Sequence, residues 1–177
     1  MKKIAQIISF VFSPLIVPTY GVAMALWLSM LSLLPSVILW RTLVYTFALT
    51  CLFPMLIIFI MWKIGYLSDP GLNKRTERTV PYIVVLLGYL GCAYMFYRMH
   101  APAWLTGFMI GGSVAVIVSI FVNRWWKISA HMAAMGGVLA MTFRMLVSGL
   151  AVVDMLWPIV IAVSYTHLRA HETLRHL

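Results

Sequence analysis

Acidic side chains are the scarcest feature of this chain. Two aspartates and two glutamates stand against thirteen lysines and arginines in 177 residues. Charges of both signs make up 10% of the sequence, where a soluble domain carries about a quarter. So few charges cannot clothe a water-facing surface, which excludes an ordinary soluble globule. The shortage of carboxylates also removes most metal-ligand chemistry. Before Ser164 there are two histidines and three acidic residues, none at ligand-like spacing, so no metal and no cofactor is expected. The two cysteines, Cys51 and Cys92, lie inside apolar segments and read as small hydrophobes rather than a disulfide pair. An Asp-rich prenyltransferase motif, a Gly-rich nucleotide loop, internal repeats and low-complexity linkers are all missing.

What is abundant is hydrocarbon. The chain is 63% hydrophobic with a mean hydropathy of +0.99, the profile of an integral membrane protein. The fold expected is an all-α, polytopic transmembrane helix bundle. Its five spans run roughly Leu15 to Leu34, Leu39 to Met61, Tyr82 to Tyr97, Trp104 to Val122 and Ile128 to Gly149. A sixth apolar run begins near Val152 and stops at Val163, about half of the ~20 residues a crossing needs. The first residues, with Lys2 and Lys3 ahead of an apolar run broken by Pro14 and Pro18, lack a signal-peptide cleavage site and read as a short interfacial helix.

From Ser164 the text changes to "SYTHLRAHETLRHL", with three of the five histidines in the last eleven residues. It resembles translated adapter read-through. The expectation is therefore a transmembrane domain over 1–163, itself incomplete, followed by a non-native tail over 164–177.

In such a protein an excess of basic residues is not a nucleic-acid signature. Cations gather in loops that set topology, or at sites that bind anions. Two loops carry them, and counting crossings places both on one side of the membrane. The long one, Lys63 to Tyr82, holds Lys74, Arg75 and Arg78 within five residues, just before Pro81 opens the third span. Guanidinium forks suit phosphate oxygens, and lysine adds a point charge. The short one, "NRWWK", leads into "ISAH". If a helix begins near Ile128, its first amides and its dipole favour an anion, and Ser129 can cap it. Lys127 and His131, four apart, share a face, and the imidazole can deliver a proton. An ordinary topology-setting loop and an interfacial histidine bonded to a carbonyl are the plainer readings of each cluster taken singly. Arg144 lies some 25 Å along the helix from Lys127 and belongs to the opposite interface, snorkelling. Gly111, Gly112, Gly136 and Gly137 read as aids to close helix packing.

Taken together, the two clusters resemble the type 2 phosphatidic acid phosphatase superfamily of membrane lipid phosphatases, over about Asp69 to Gly137. The first motif of that family is Lys-x6-Arg-Pro, and "LNKRTERTVPY" resembles a variant with Arg-x-x-Arg and a Pro-Tyr shortly after. Arg75, Arg78 and Lys74 would take the phosphate-binding role, with the division of labour among them left open by the altered spacing. The second is Pro-Ser-Gly-His, of which "ISAH" keeps serine and histidine. By resemblance Ser129, nearby amides and Lys127 would bind phosphate, and His131 would be catalytic, protonating the leaving oxygen. The third, Ser-Arg-x5-His-x3-Asp, supplies the nucleophile and has no counterpart before Ser164. "LRAHET" imitates it only superficially, so the chain as printed is expected to be inactive.

The resemblance implies metal-independent hydrolysis of a lipid phosphate or diphosphate, such as polyprenyl diphosphate, phosphatidylglycerophosphate or phosphatidic acid, through a phospho-histidine. The implied partners are that substrate and membrane lipids, in the bacterial cytoplasmic membrane. The alternative is a non-catalytic protein that binds anionic lipid headgroups with the same cations. A small transporter is a third reading, which the lack of a mid-membrane charged pair or inverted repeat disfavours. Positive loops point the clusters to the cytoplasm, whereas many carrier-recycling relatives work on the outer face. Both orientations stay open, because site cations inflate the loop count.

Overall fold

The structure, a computed structural model, describes residues 13–68, 75–126 and 128–150. The interfacial segment before Ser13, the loop residues 69–74, Lys127, the sixth apolar run and the tail lie outside the described residues.

Every regular element among the described residues is helical. Helix α1 is Val17–Leu28. Helices α2, Ser36–Phe47, and α3, Phe53–Lys63, are joined by a π-turn over Ala48–Leu52 into one rod. Then follow α4, Thr79–Arg98; α5, Ala103–Val122; and α6, Ala130–Val147. Short 3-10 turns at Met30–Leu33 and Arg75–Arg78 precede α2 and α4. Four helical stretches, Ser36–Lys63, Thr76–Arg98, Ala103–Val122 and Ala130–Val147, are long and apolar enough to cross a membrane. Their outward faces carry exposed Leu56, Leu87, Val118, Phe121 and Phe143. In water such faces would form aggregation-prone patches; in lipid they are simply solvated. The chain is an all-α, multi-pass membrane bundle.

The first span differs from its expected extent. Helix α1 has 12 residues, about 18 Å, short of a ~30 Å hydrocarbon core. Ser29 ends it. Its hydroxyl donates to the Ala25 carbonyl at 2.6 Å and accepts from the Leu31 amide at 3.1 Å, while its backbone turns extended and starts the 3-10 turn. A serine that bonds locally competes with helix continuation, which an apolar count over Leu15 to Leu34 does not register.

Chain reversals are set by backbone chemistry at three helix ends. After α3, α4 and α6, residues Gly65, His100 and Gly149 take positive φ (78°, 54° and 61°). The next amides, of Tyr66, Ala101 and Leu150, then donate back to Met61, Phe96 and Met145. That is the Schellman closure, which satisfies carbonyls a helix end leaves over. At His100 it permits the tight α4–α5 hairpin, with Pro102 as the N-cap of α5.

The π-turn has a local cause. Pro54 has no N–H, so it cannot serve the carbonyls behind it. Phe53 N–H reaches back five residues to Ala48 O, leaving the Leu49 carbonyl turned toward α4. Gly88 of α4 meets it there, and a Cβ added at Gly88 would lie 2.3 Å from the Leu49 oxygen. Only glycine fits so close an approach. One buried seam runs down the rod beside it. Thr42, Thr46 and Thr50 each donate to the carbonyl four residues back, at 2.8, 2.8 and 2.9 Å. Thr50 also meets Thr19 of α1 at 3.4 Å, and Cys92 of α4 donates to Thr46 at 3.8 Å. Both cysteines are buried and free.

These packings create two unlike ends. Residues 29–35, 99–102 and 148–150 sit at the hairpin end, over a core of Leu26, Leu39, Phe96, Leu105 and Met145. Residues 64–68, 75–78, 123–126 and 128–129 sit together at the loop end, as crossing order requires, with Leu15 and Val80 packed on Ile58, Met61 and Leu67.

Candidate functional site: the polar mouth of an interhelical cavity

At the loop end the backbone between α3 and α4 is tied down by one carboxylate. Glu77 accepts from the Ser68 amide at 2.9 Å and from its hydroxyl at 2.8 Å. This bond closes the loop from Ser68 to the 3-10 turn and so fixes where that turn delivers its arginines. Arg78, the N-cap of α4, is half-buried. Its Nη1 donates to the carbonyl oxygen of Ile128 at 3.0 Å. Fifty residues separate donor and acceptor, and they belong to the two separate basic clusters. A guanidinium carries five N–H donors in a rigid fork, so one bond to a backbone carbonyl positions the whole fork.

Beyond Ile128, Ser129 is the N-cap of α6. Its backbone is extended, and its hydroxyl accepts from the Met132 amide at 3.5 Å. The first bond of the helical ladder is donated by Ala133 to Ser129 O at 3.2 Å, so the amides of residues 130 and 131 lie ahead of the ladder. They carry the positive end of the helix dipole. His131 is the second helical residue, half-buried, and its Nε2 is a buried atom.

Arg78, Ser129 and His131 line the mouth of one cavity of about 1650 Å³, walled by α1, α3, α4, α5 and α6. Of the site residues expected from sequence, the structure therefore brings these three together. Arg75 belongs to the 3-10 turn adjoining Arg78, its side chain lying outside the description; Lys74 and Lys127 lie outside the described residues altogether. Below the mouth the lining turns apolar and aromatic, with Met55, Tyr82, Tyr89, Phe108 and Met141. Arg144 stands at the far end of the lining, exposed, its guanidinium bonded to the Ser148 hydroxyl. That agrees with its expected place at the opposite interface. Among the described residues no group of three His, Cys, Asp or Glu side chains comes together as metal ligands would.

Sequence reasoning missed the cavity itself. Gly111 and Gly136, read as packing glycines, line it, and a Cβ at either would meet nothing within 4 Å among the described residues. Gly112 behaves as expected, with the Tyr89 ring 2.9 Å from an added Cβ. Spacing alone does not distinguish a glycine that admits a neighbouring helix from one that leaves space. Comparison of the chain with protein-family models, with curated proteins and with solved structures gives no match.

Proposed function

We propose that this chain carries the phosphate-binding half of a membrane lipid-phosphate phosphatase. The observation that supports the reading best is the 3.0 Å bond from Arg78 to Ile128 O. It joins the two motif-bearing segments at one polar mouth above an apolar cavity. A guanidinium fork, a capping hydroxyl and helix N-terminal amides form an electrostatic clamp for phosphoryl oxygens. His131, as an imidazolium, donates its proton to the lipid oxygen as the P–O bond breaks. The balancing half-step is attack on phosphorus by a second histidine, forming a P–N bond that water then cleaves.

That nucleophile has no counterpart near the mouth among the described residues, since His100 lies at the hairpin end. This observation favours, as a second reading, a protein that holds anionic lipid headgroups without turning them over.

One experiment addresses both. The purified 177-residue chain, with chelator present, is expected to bind lipid phosphate without releasing phosphate. Grafting a Ser-Arg-x5-His-x3-Asp helix after Val163 is expected to produce phosphate release that His131→Ala reduces roughly 100-fold, the usual scale for a proton donor. Release that is indifferent to His131→Ala, or that needs a divalent metal, would sink the phosphatase reading. Binding indifferent to Arg78→Ala would sink both.

A further inference from the structure

The cavity is far larger than a phosphate clamp requires, and its shape is informative. It is lined from Ser129 to Arg144 along α6. Fifteen residues of helix span about 22 Å, against roughly 15 Å for one leaflet's hydrocarbon. Between the polar mouth and Arg144 the lining is mostly apolar, with Tyr82, Tyr89 and Ser119 its polar-tipped members, and the volume of about 1650 Å³ exceeds the ~300–1,000 Å³ of drug-sized pockets.

Its width has an identifiable origin. Gly107 and Gly111 on α5 and Gly136 on α6 all line the cavity, and a Cβ added at any of them meets nothing within 4 Å among the described residues. Glycines that serve packing in this same bundle look different, as the 2.3 Å contact at Gly88 shows. Glycine inside a helix is destabilising relative to alanine. At these three positions no neighbouring atom among the described residues compensates for that cost; the return is open space beside α5 and α6.

An elongated apolar slot with a guanidinium held at one mouth is complementary to an amphiphile with one anionic head and one long chain. We infer that the slot takes the hydrocarbon chain of a lipid phosphate whose chain is long enough to pass the bilayer midplane. Gly107, Gly111 and Gly136 are the specificity-determining residues that hold it open. The inference rests on reading the Arg78 mouth as the phosphate site, and the test separates the two.

Binding of monoalkyl phosphates, graded from butyl to hexacosyl phosphate so that the series extends past the slot, is measured by titration on the full 177-residue chain in detergent. For the wild type, affinity should keep rising to chains of about 22 Å and then level off. Gly111→Leu and Gly136→Leu should shift that break to shorter chains and weaken octadecyl phosphate at least ten-fold. Arg78→Ala should weaken every member of the series by a similar factor and leave the break in place. A break unmoved in both leucine variants overturns the slot while leaving the phosphate mouth standing. A break that moves with glycine filling, with Arg78→Ala silent, keeps the slot and overturns the phosphate reading.

A change of oligomeric mass in the leucine variants, without a moved break, would assign the space to a second copy of the chain and overturn the slot. Should the leucine variants fail to fold, octadecyl phosphate carrying a photoreactive terminal group decides on the wild type. Crosslinks at Phe108 and Met141 support the slot, and crosslinks confined to outward residues such as Leu56 and Val118 overturn it.

Discussion

The two ends of this bundle are built on opposite principles. At the hairpin end large side chains meet and exclude everything else: Phe96 and Met145 are fully buried and Leu105 is 1% exposed. Beside that packing a cavity opens from the loop end, where Arg78, Ser129 and His131 line its mouth, and its α5 and α6 walls continue as far as Trp104 and Arg144. In lipid there is little hydrophobic drive to bring helices together, so van der Waals packing and short polar contacts decide where they touch. The packed core of Phe96, Leu105 and Met145, with the tight α4–α5 hairpin, holds the helices together beside the open space without loss of the fold.

The comparison can be broken at the packed end first. Phe96→Ala should cost about 3 kcal/mol, the low end for a buried aromatic because the transfer contribution is small in lipid. Steric trapping or thermal unfolding in detergent measures it, and a cost under about 1 kcal/mol would mean the hairpin end is not the anchor. Next in size is Gly88→Ala. The added methyl must displace backbone at Leu49 O, an overpacking expected to cost about 2 kcal/mol. The same substitution at Gly136 should be neutral or slightly stabilising, by up to about 1 kcal/mol. Equal effects at the two glycines would erase the distinction between packed and open regions. Ser129→Ala, which removes the α6 cap, should lower stability by about 1 kcal/mol, and Ser129→Gly, the smallest loss of all, by only a few tenths.

Much of this was legible in the residues. Long apolar stretches located α4, α5 and α6 to within three residues, because a membrane span has to be both long and uniformly apolar. Ser129 was readable as a cap, and the crossing count put the two basic loops at one end, as the Arg78–Ile128 bond requires. What escaped notice depends on neighbours distant in sequence. The π-turn starts from Pro54, but the space its displaced Leu49 carbonyl occupies is left by Gly88 of another helix. The break at Ser29 is the exception, a local hydroxyl bond hidden within an apolar run. The cavity depends on what faces these glycines across the bundle, which no small-residue spacing encodes: Gly107-xxx-Gly111 has the spacing of a packing motif and meets no atom among the described residues.

The π-turn over Ala48–Leu52 also sets the phase of everything that follows it. Inward positions of the long rod, Thr42, Thr46, Thr50, Pro54 and Ile58, repeat every four residues, whereas a straight α-helix repeats every 3.6 and would rotate such a stripe away by about 40° per step. The extra residue within the turn absorbs that drift. Deleting one residue there would restore a regular helix and turn α3 by about 100° relative to α2. Ile58 and Met61 would then face lipid, and Met55 and Phe59 would leave the cavity wall. The rod therefore works as a vernier: its register is adjusted once, at its middle, so that one half can serve the threonine seam and the other the cavity.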